Sequence, residues 1–473
     1  MLRCAAVLPL VPLAVALGAA APPPDAPPVP TVAMSLHPAA EPQPALRYTL
    51  LPAVAELETG NAATLYHRVL AGEINFLMQP GVAVQVDNWL KTPIKDLPRA
   101  EVRGLVAGPQ LRELDVASRQ SYCDWEFLNK LRRGGYSTLF GEIQKIRQIP
   151  QWLGARARLE MADGKPEQAL ETVKSILALA RHLGEHPSVI GNLVGLAIAQ
   201  IALNQLDDLV QQPGCPNLYW ALTNLPSPLV DLRRGLQSEK LVLREVEFEG
   251  LLKNADAPLT PAQLQLCLDR LDKLRQISAV EGQNVPPAPV RQELAAREAR
   301  ELPAARAHLI AQGHSAAHVD SLPPQQVVLL YELFKFEKAQ DDALKLAGLP
   351  FWQGREGLKT FEQSVKDRNG PHSASVFAPM WLNPHRVRQG QARVERRIAA
   401  LRVVEAVRLY AAAHDGKLPA ALKDLPVPVP TDPFTGRDFE YRLGDNKATL
   451  EGPTPAGEVS NLGNTLRYEL TIK

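Results

Sequence analysis

The 42 prolines of this 473-residue chain stand mostly between runs that read as helix, not inside them. Proline fixes φ at about −65° and carries no N–H, so a helix accepts it in the first turn and breaks around it elsewhere. With glycines at the opposite ends, the prolines cut the sequence into rods. The stretch "IPQWLGARARLEMADGKPEQALETVKSILALARHLGEHPSVIGNLVGLAIAQIALNQLDDLV" reads as three antiparallel helices. Gly164 ends the first, Pro166 opens the second and Pro187 opens the third. The same writing continues in "LQSEKLVLREVEFEGLLKNA", "TPAQLQLCLDRLDKLRQI", "VRQELAAREARELPAARAHLIAQG" and "PPQQVVLLYELFKFEKAQDDALKLAGLP". Thr260-Pro261 and Leu322-Pro323-Pro324 mark starts, and Gly313 and Gly348 mark stops. A mainly α protein built as an irregular α-α stack follows.

The third rod is the driest. From Val189 to Leu203 only Asn192 and Gln200 interrupt apolar and small residues. The run is shorter than the roughly 20 residues a bilayer span takes, and Pro187 and Asp207-Asp208 bound it. It is expected to be a central helix buried on most faces. Gly191 and Gly195 then mark close contact with a neighbouring helix.

Export is written at the start. Arg3 precedes an apolar run from Cys4 to Leu17, and Gly18-Ala19-Ala20-Ala21 supplies small residues for cleavage. Residues 1–20 therefore read as a secretory signal, which places the protein in the periplasm or outside the cell. Whether the signal is cleaved or kept as an anchor stays open. Residues 21–44, rich in Pro and Ala, read as a disordered or polyproline-like spacer. The folded body is expected to open at "RYTLLPAVAELETGNAATLYHRVLAG", with Asn61 capping a helix that carries Ala62, Leu65, Tyr66 and Leu70 on one face.

The balance of 52 basic and 51 acidic residues gives a formal net charge of +1, which offers no electrostatic argument for nucleic acid or anionic membrane. Past the signal, three cysteines remain: Cys123, Cys215 and Cys267. Odd in number and far apart, they form neither a disulfide framework nor a zinc ribbon. One bridge is compatible with an oxidising compartment, and the pair is not determined by sequence.

Several constellations carry possible chemistry. "HLGEH", His182 to His186, matches the H-x-x-E-H pattern of inverted zinc peptidases, in which two histidines four apart bind one metal and Glu185 acts as base. Gly184 inside the motif and Pro187 behind it spoil the helix that ligation needs, and His186 reads as a helix-end residue. In "GHSAAH", Ser315 lies between His314 and His318. A helix precedes Gly313 where a nucleophile elbow needs a strand, so Ser315 reads as an N-cap. The adjacent pairs Asp207-Asp208 and Asp341-Asp342 diverge by about 100° on a helix and read as solvated surface. Arg386, Arg388, Arg393, Arg396 and Arg397 read as a solvated helix start or a patch for an acidic partner. No catalytic, cofactor-binding or metal residue is assigned, and no cofactor is expected.

The end of the chain is written differently. "VERRIAALRVVEAVRLYAAAHDGKLP" is amphipathic, with Ala400, Val403, Val404, Val407, Tyr410 and Ala411 on one stripe and Arg402, Glu405 and Arg408 facing away. Gly416 stops it. Turns at Asp432-Pro433 and Thr435-Gly436 lead to the alternating strand "DFEYRL", a hairpin turn at Gly444-Asp445-Asn446, "KATLEG" and a last strand "TLRYELTI". A helix packed on a small antiparallel meander is predicted.

Three resemblances attach to these residues. Ala157 and "GKPEQAL", Gly164 to Leu170, with Ala169 at the helix crossing, resemble one tetratricopeptide unit, from which Ile176 departs. "LARHLGEHPSVIGNLVGLAIAQ" and "HVDSLPPQQVVLLY" resemble uncharacterised secreted bacterial helical proteins, a family with no assigned activity, so the resemblance implies export and fold and says nothing of function. Leu409, Tyr410, Asp415, Gly416, Leu418, Pro419, Asp432, Pro433, Phe434, Gly436, Phe439 and Tyr441 resemble the periplasmic domain of type II secretion pseudopilins and type IV pilin-like proteins. The long apolar N-terminal helix that builds pilin filaments has no counterpart before this helix, and "NLGNT" lacks the acids of a calcium loop, so neither property is implied.

The expected organisation is a signal at 1–20, a linker at 21–44, an α-α stack at 45–385 and a pseudopilin-like α+β module at 386–473. The expected role is a non-enzymatic scaffold or protein- or peptide-binding protein of the bacterial cell envelope. The competing class is a metal-dependent, peptidase-like envelope hydrolase whose site is assembled from distant residues.

Overall fold

The computed structural model describes residues 31–72, 79–106, 108–127, 129–130, 145–241, 248, 251–252, 255–279, 289–366, 375–377, 383–461 and 463–473. The expected signal at 1–20 and the first ten residues of the expected spacer lie outside the described residues. Among the described residues fifteen α-helices and six strands are present, so the protein is mainly α with a small sheet.

The proline and glycine punctuation sets the helix ends. In the first half, α1 (Ala62–Gly72), α2 (Pro80–Lys91), α3 (Arg99–Val106) and α4 (Pro109–Ser118) surround a longer trio. That trio is α5 (Ile149–Ala162), α6 (Pro166–Gly184) and α7 (Val189–Leu209). Between α5 and α6, Gly164 takes φ +71°, and the Lys165 N–H turns back to the Glu160 carbonyl at 2.9 Å. That backbone conformation suits glycine, and Pro166 then starts α6 without losing a hydrogen bond. The start of α7 falls at Val189, two residues beyond Pro187, because the Ser188 hydroxyl accepts the Gly191 N–H at 3.1 Å and caps the helix.

The α7 helix is the centre of the stack. By length and composition it could cross a bilayer, yet 67% of its most apolar window is buried inside the protein. A Cβ on Gly195 would lie 2.8 Å from the Ala180 carbonyl oxygen, so the missing side chain is what lets α7 and α6 touch backbone to backbone.

After α8 (Tyr219–Thr223) and α9 (Arg233–Leu241) the chain builds a second hydrophobic core. Phe248, Leu268 and Leu271, Val290 and Leu294, Val327 and Phe336, and Phe377 fill it. The helices there are α10 (Pro261–Ala279), α11 (Val290–Ala311), α12 (Ala316–Ser321) and α13 (Pro324–Ala347), followed by α14 (Phe351–Lys366). The 30-residue α15 (Pro384–Ala413) then returns to the first core, where Ala400, Val403, Val404 and Val407 are buried as the stripe predicts.

The meander follows: β4 (Glu440–Leu443), β5 (Ala448–Gly452) and β6 (Leu466–Ile472), antiparallel in sequence, with the β4–β5 turn closed by the Gly444 N–H on the Lys447 carbonyl. Alternation decides the faces. Ala448 and Leu450 of β5, and Leu466, Tyr468 and Leu470 of β6, point into the core with Phe439. A short two-stranded pair, β2 (Glu58–Asn61) with β3 (Gln120–Tyr122), lies apart near α1.

Three expectations change here. The spacer expected over 21–44 gives way to β1 (Val32–Leu36), which pairs parallel with β6 from Val32 against Tyr468 to Leu36 against Ile472. Alternating Met34 and Leu36 are buried, and that apolar period of two was hidden in a Pro- and Ala-rich stretch. Second, the core does not break at the expected 385/386 boundary. One apolar cluster runs from Met34 through α5 to α7 and on through α15 to Leu470, and the second core is built from the segment between. Third, Glu405 and Arg408 do not face solvent. Both are fully buried, because α15 is covered on its polar side by residues 37–39 and 215–219.

Candidate functional site

The "HLGEH" residues are separated by the end of their helix. α6 stops at Gly184, Glu185 is its C-cap, and His186 lies beyond it. His182 Nδ1 is 2.9 Å from the Tyr66 hydroxyl, and the His182 carbonyl accepts the Trp125 indole N–H at 3.1 Å. His186 Nδ1 is 2.8 Å from the Ser188 hydroxyl. Glu185 receives Arg181 on the surface at 3.3 Å. Burial pulls the His182 pKa down to about 4, so its ring is neutral at physiological pH. Tyr66 and Trp125 stack at 5.7 Å beside it, and the Phe127 ring meets His186 edge-on at 4.9 Å. The two imidazoles thus serve separate hydrogen bonds within an aromatic core. Among the described residues no three His, Cys, Asp or Glu side chains come together in a way that could hold a metal ion.

The other constellations resolve similarly. The Ser315 hydroxyl accepts the His318 N–H at 3.2 Å and caps α12 as expected, and His318 Nε2 sits 2.6 Å from the Ala255 carbonyl. Asp207 is not solvated surface, and Asp208 is only partly exposed. Asp207 pairs with Arg397 at 2.5 Å, and Asp208 pairs with Arg158. Asp342 pairs with Lys345 at 2.6 Å on the surface of α13.

The arginines of α15 also turn inward. Arg396 is buried with a charge-assisted bond to Asp432 at 2.8 Å, Arg393 reaches Asn464 at 3.1 Å, and Arg388 reaches the Leu349 carbonyl at 2.6 Å. The helix start is therefore no solvated patch: α14 and the turns around the sheet cover it. Cys123, Cys215 and Cys267 are all free thiols.

The structure instead presents a cleft that sequence reading did not find. It is an open depression of about 280 Å³ between an extended segment, His37 to Gln43 with Arg47 and Tyr48, and the loop Gly214 to Asn217. Both walls are tied to α15 by one buried ion pair. The Arg408 guanidinium donates to the His37 carbonyl at 3.0 Å, the Pro216 carbonyl at 3.2 Å and the Cys215 carbonyl at 2.7 Å. It also holds both oxygens of Glu405, and that carboxylate accepts the Leu218 N–H at 3.0 Å. The Asn217 amide donates to the Glu405 carbonyl at 2.8 Å and lies 3.4 Å from the Ala39 carbonyl, joining the two walls directly.

Burial raises the Glu405 carboxyl, and Arg408 draws it back. On the rim, the Arg47 guanidinium lies 5.5 Å over the Tyr48 ring, whose hydroxyl donates to Glu167 at 2.6 Å. Glu41 on the same segment accepts the Trp220 indole N–H at 2.5 Å. Burial pushes the Cys215 thiol up to about 12, so it is protonated and inert as a nucleophile. The cleft thus offers a fixed, proline-lined backbone, an aromatic ring and one exposed cation. These are surfaces suited to binding. The available signal was the spacing of Glu405 and Arg408, which suits an i,i+3 ion pair on a helix. Their burial depends on segments hundreds of residues away.

No protein-family model matches this chain, and neither a curated protein nor a solved structure matches it.

Proposed function

We propose that this protein is an exported, non-enzymatic scaffold of the bacterial cell envelope that binds a segment of another polypeptide along residues 37–48. The observation that carries the reading is the rigid anchoring of both cleft walls by Glu405 and Arg408. A preformed, ordered surface binds an extended chain without paying to order itself. Placement in the envelope rests on the signal-like residues 1–20. The order of α15, the Asp432 turn and the meander supports the pseudopilin-like reading of the C-terminal part, here with β1 added beside β6. The α5–α6 hairpin supports the tetratricopeptide-like reading of the stack. Occupation of His182 and His186 by Tyr66 and Ser188 weighs against the peptidase alternative.

Affinity capture from envelope extracts tests this when the parent is compared with an Arg47→Glu/Tyr48→Ala double variant and with Val84→Ala, an exposed site elsewhere. The expected result is a partner retained by the parent and by Val84→Ala and lost by the cleft variant. Equal capture by all three would refute the reading.

A further inference from the structure

His385, the second residue of α15, lies where three elements meet: α14, the start of α15 and the loop 453–461 between β5 and β6. Its side chain is 7% exposed. One edge of the ring faces Glu362 on α14, with Nδ1 3.7 Å from the carboxylate. The opposite edge faces Glu458 in the loop, with Nε2 3.8 Å away, and among the described residues Nε2 has no hydrogen-bond partner. Both distances exceed those of a hydrogen bond. Because the two nitrogens point to different carboxylates, the three groups cannot converge on one metal ion.

The same seam is crossed by other charges. Lys359 of α14 pairs with Glu458 at 2.6 Å and lies 4.0 Å from Glu356. Arg355 of α14 donates to the Ala456 carbonyl at 3.2 Å. On α15, Arg386 lies 3.8 Å from Glu362, and Arg393 senses the Glu458 charge. Among the described residues the ring also packs against Phe351 at 5.9 Å.

A carboxylate only accepts hydrogen bonds, and a neutral imidazole has one donor and one acceptor edge. Whichever tautomer forms, one edge turns a lone pair toward an anion. Charging the ring would give two donors, but at these separations neither reaches its carboxylate. A buried cation without hydrogen bonds is costly and is relieved by admitting water. Burial accordingly holds the ring below its ordinary pKa, against the opposing pull of Glu458 and Glu362.

We propose that His385 is an acid-sensitive latch: protonation of its ring loosens α14 from the start of α15 and from the 453–461 loop. Hydrogen exchange of the full chain, corrected for intrinsic rates, tests this at about pH 7.5 and about pH 5.5, either side of the ordinary histidine range. Protection of Phe351–Lys366 and of 453–461 should fall on the order of tenfold more than that of α7 on acidification. His385→Gln should keep the protection seen at the higher pH and lose the acid response, and His385→Asn serves as a second neutral variant. Unchanged protection of the seam in the parent would overturn the proposal. So would an acid response that survives in both variants.

Discussion

Glu405 and Arg408 stand one turn apart on α15, both wholly buried, with the guanidinium 2.7 Å from one carboxylate oxygen and 2.9 Å from the other. This pair is the joint between the long C-terminal helix and two segments far away in sequence. Arg408→Met would leave a buried carboxylate without its counter-charge and remove the guanidinium donor from the His37, Cys215 and Pro216 carbonyls. The expected loss is about 3–5 kcal/mol in denaturant unfolding. Glu405→Gln combined with Arg408→Met should recover part of it, because the stranded charge is gone. A loss under about 1 kcal/mol for the single change would mean the pair is not the joint described.

The pH dependence of stability should show two opposed contributions. His182 titrates near 4 in the folded protein against an ordinary 6.5, because it is buried. Between those values the unfolded chain binds more protons, so this contribution is present above 6.5 and is lost as pH falls toward 4. Its full size is roughly 3 kcal/mol. Burial raises Glu160 from 4.5 to about 7, with the Thr172 hydrogen bond pulling the other way. Its contribution is fully present below 4.5 and is lost as pH rises through 7. His182→Gln should therefore make the protein gain stability on acidification relative to the parent, and Glu160→Gln should make it lose more. Denaturation midpoints at about pH 7 and about pH 5 decide it, and parallel slopes in all three proteins would contradict these assignments.

Two glycines should respond in opposite directions to the same substitution. A Cβ on Gly195 would meet the Ala180 carbonyl oxygen at 2.8 Å and the Gly184 nitrogen at 3.1 Å, so Gly195→Ala should cost about 1–3 kcal/mol. Gly104 is an exposed position in α3 with nothing near its missing Cβ. Gly104→Ala should stabilise by about 0.5–1 kcal/mol through helix propensity alone. Thermal or denaturant midpoints of the two variants, shifting the same way, would show that the close contact of α7 with α6 is misplaced.

What sequence made legible was local. Gly164 and Pro166, the Ser315 cap, the α15 stripe and the Gly444 turn are decided by neighbours within a few residues, and all lie where expected. The misread features are those decided at long range. Val32–Leu36 becomes a strand only because β6, over 430 positions later, offers an edge. Asp207 and Arg397, read as surface, find each other across 190 positions. A charged side chain on a helix looks the same in sequence whether water or protein lies beyond it. The cleft is not legible in sequence for the same reason, since its walls are brought together by Arg408 and Asn217 from positions far apart in the chain.

The metal motif yields a plain expectation. With α6 ending at Gly184 and the two imidazoles bonded to Tyr66 and Ser188, protein purified under mild conditions should carry no stoichiometric zinc. Elemental analysis checks it. One tightly held zinc per chain that disappears in His182→Ala would revive the peptidase class.

The most direct test of the binding reading is a photoreactive residue placed at Gln43, on the lining of the cleft, with the exposed Leu266 of α10 as the control position. Irradiation of cells carrying the full chain should give one discrete adduct from position 43, none from position 266, and loss of the adduct in the Arg47→Glu/Tyr48→Ala background. No adduct at 43, or the same adducts from both positions, would contradict a polypeptide bound along residues 37–48.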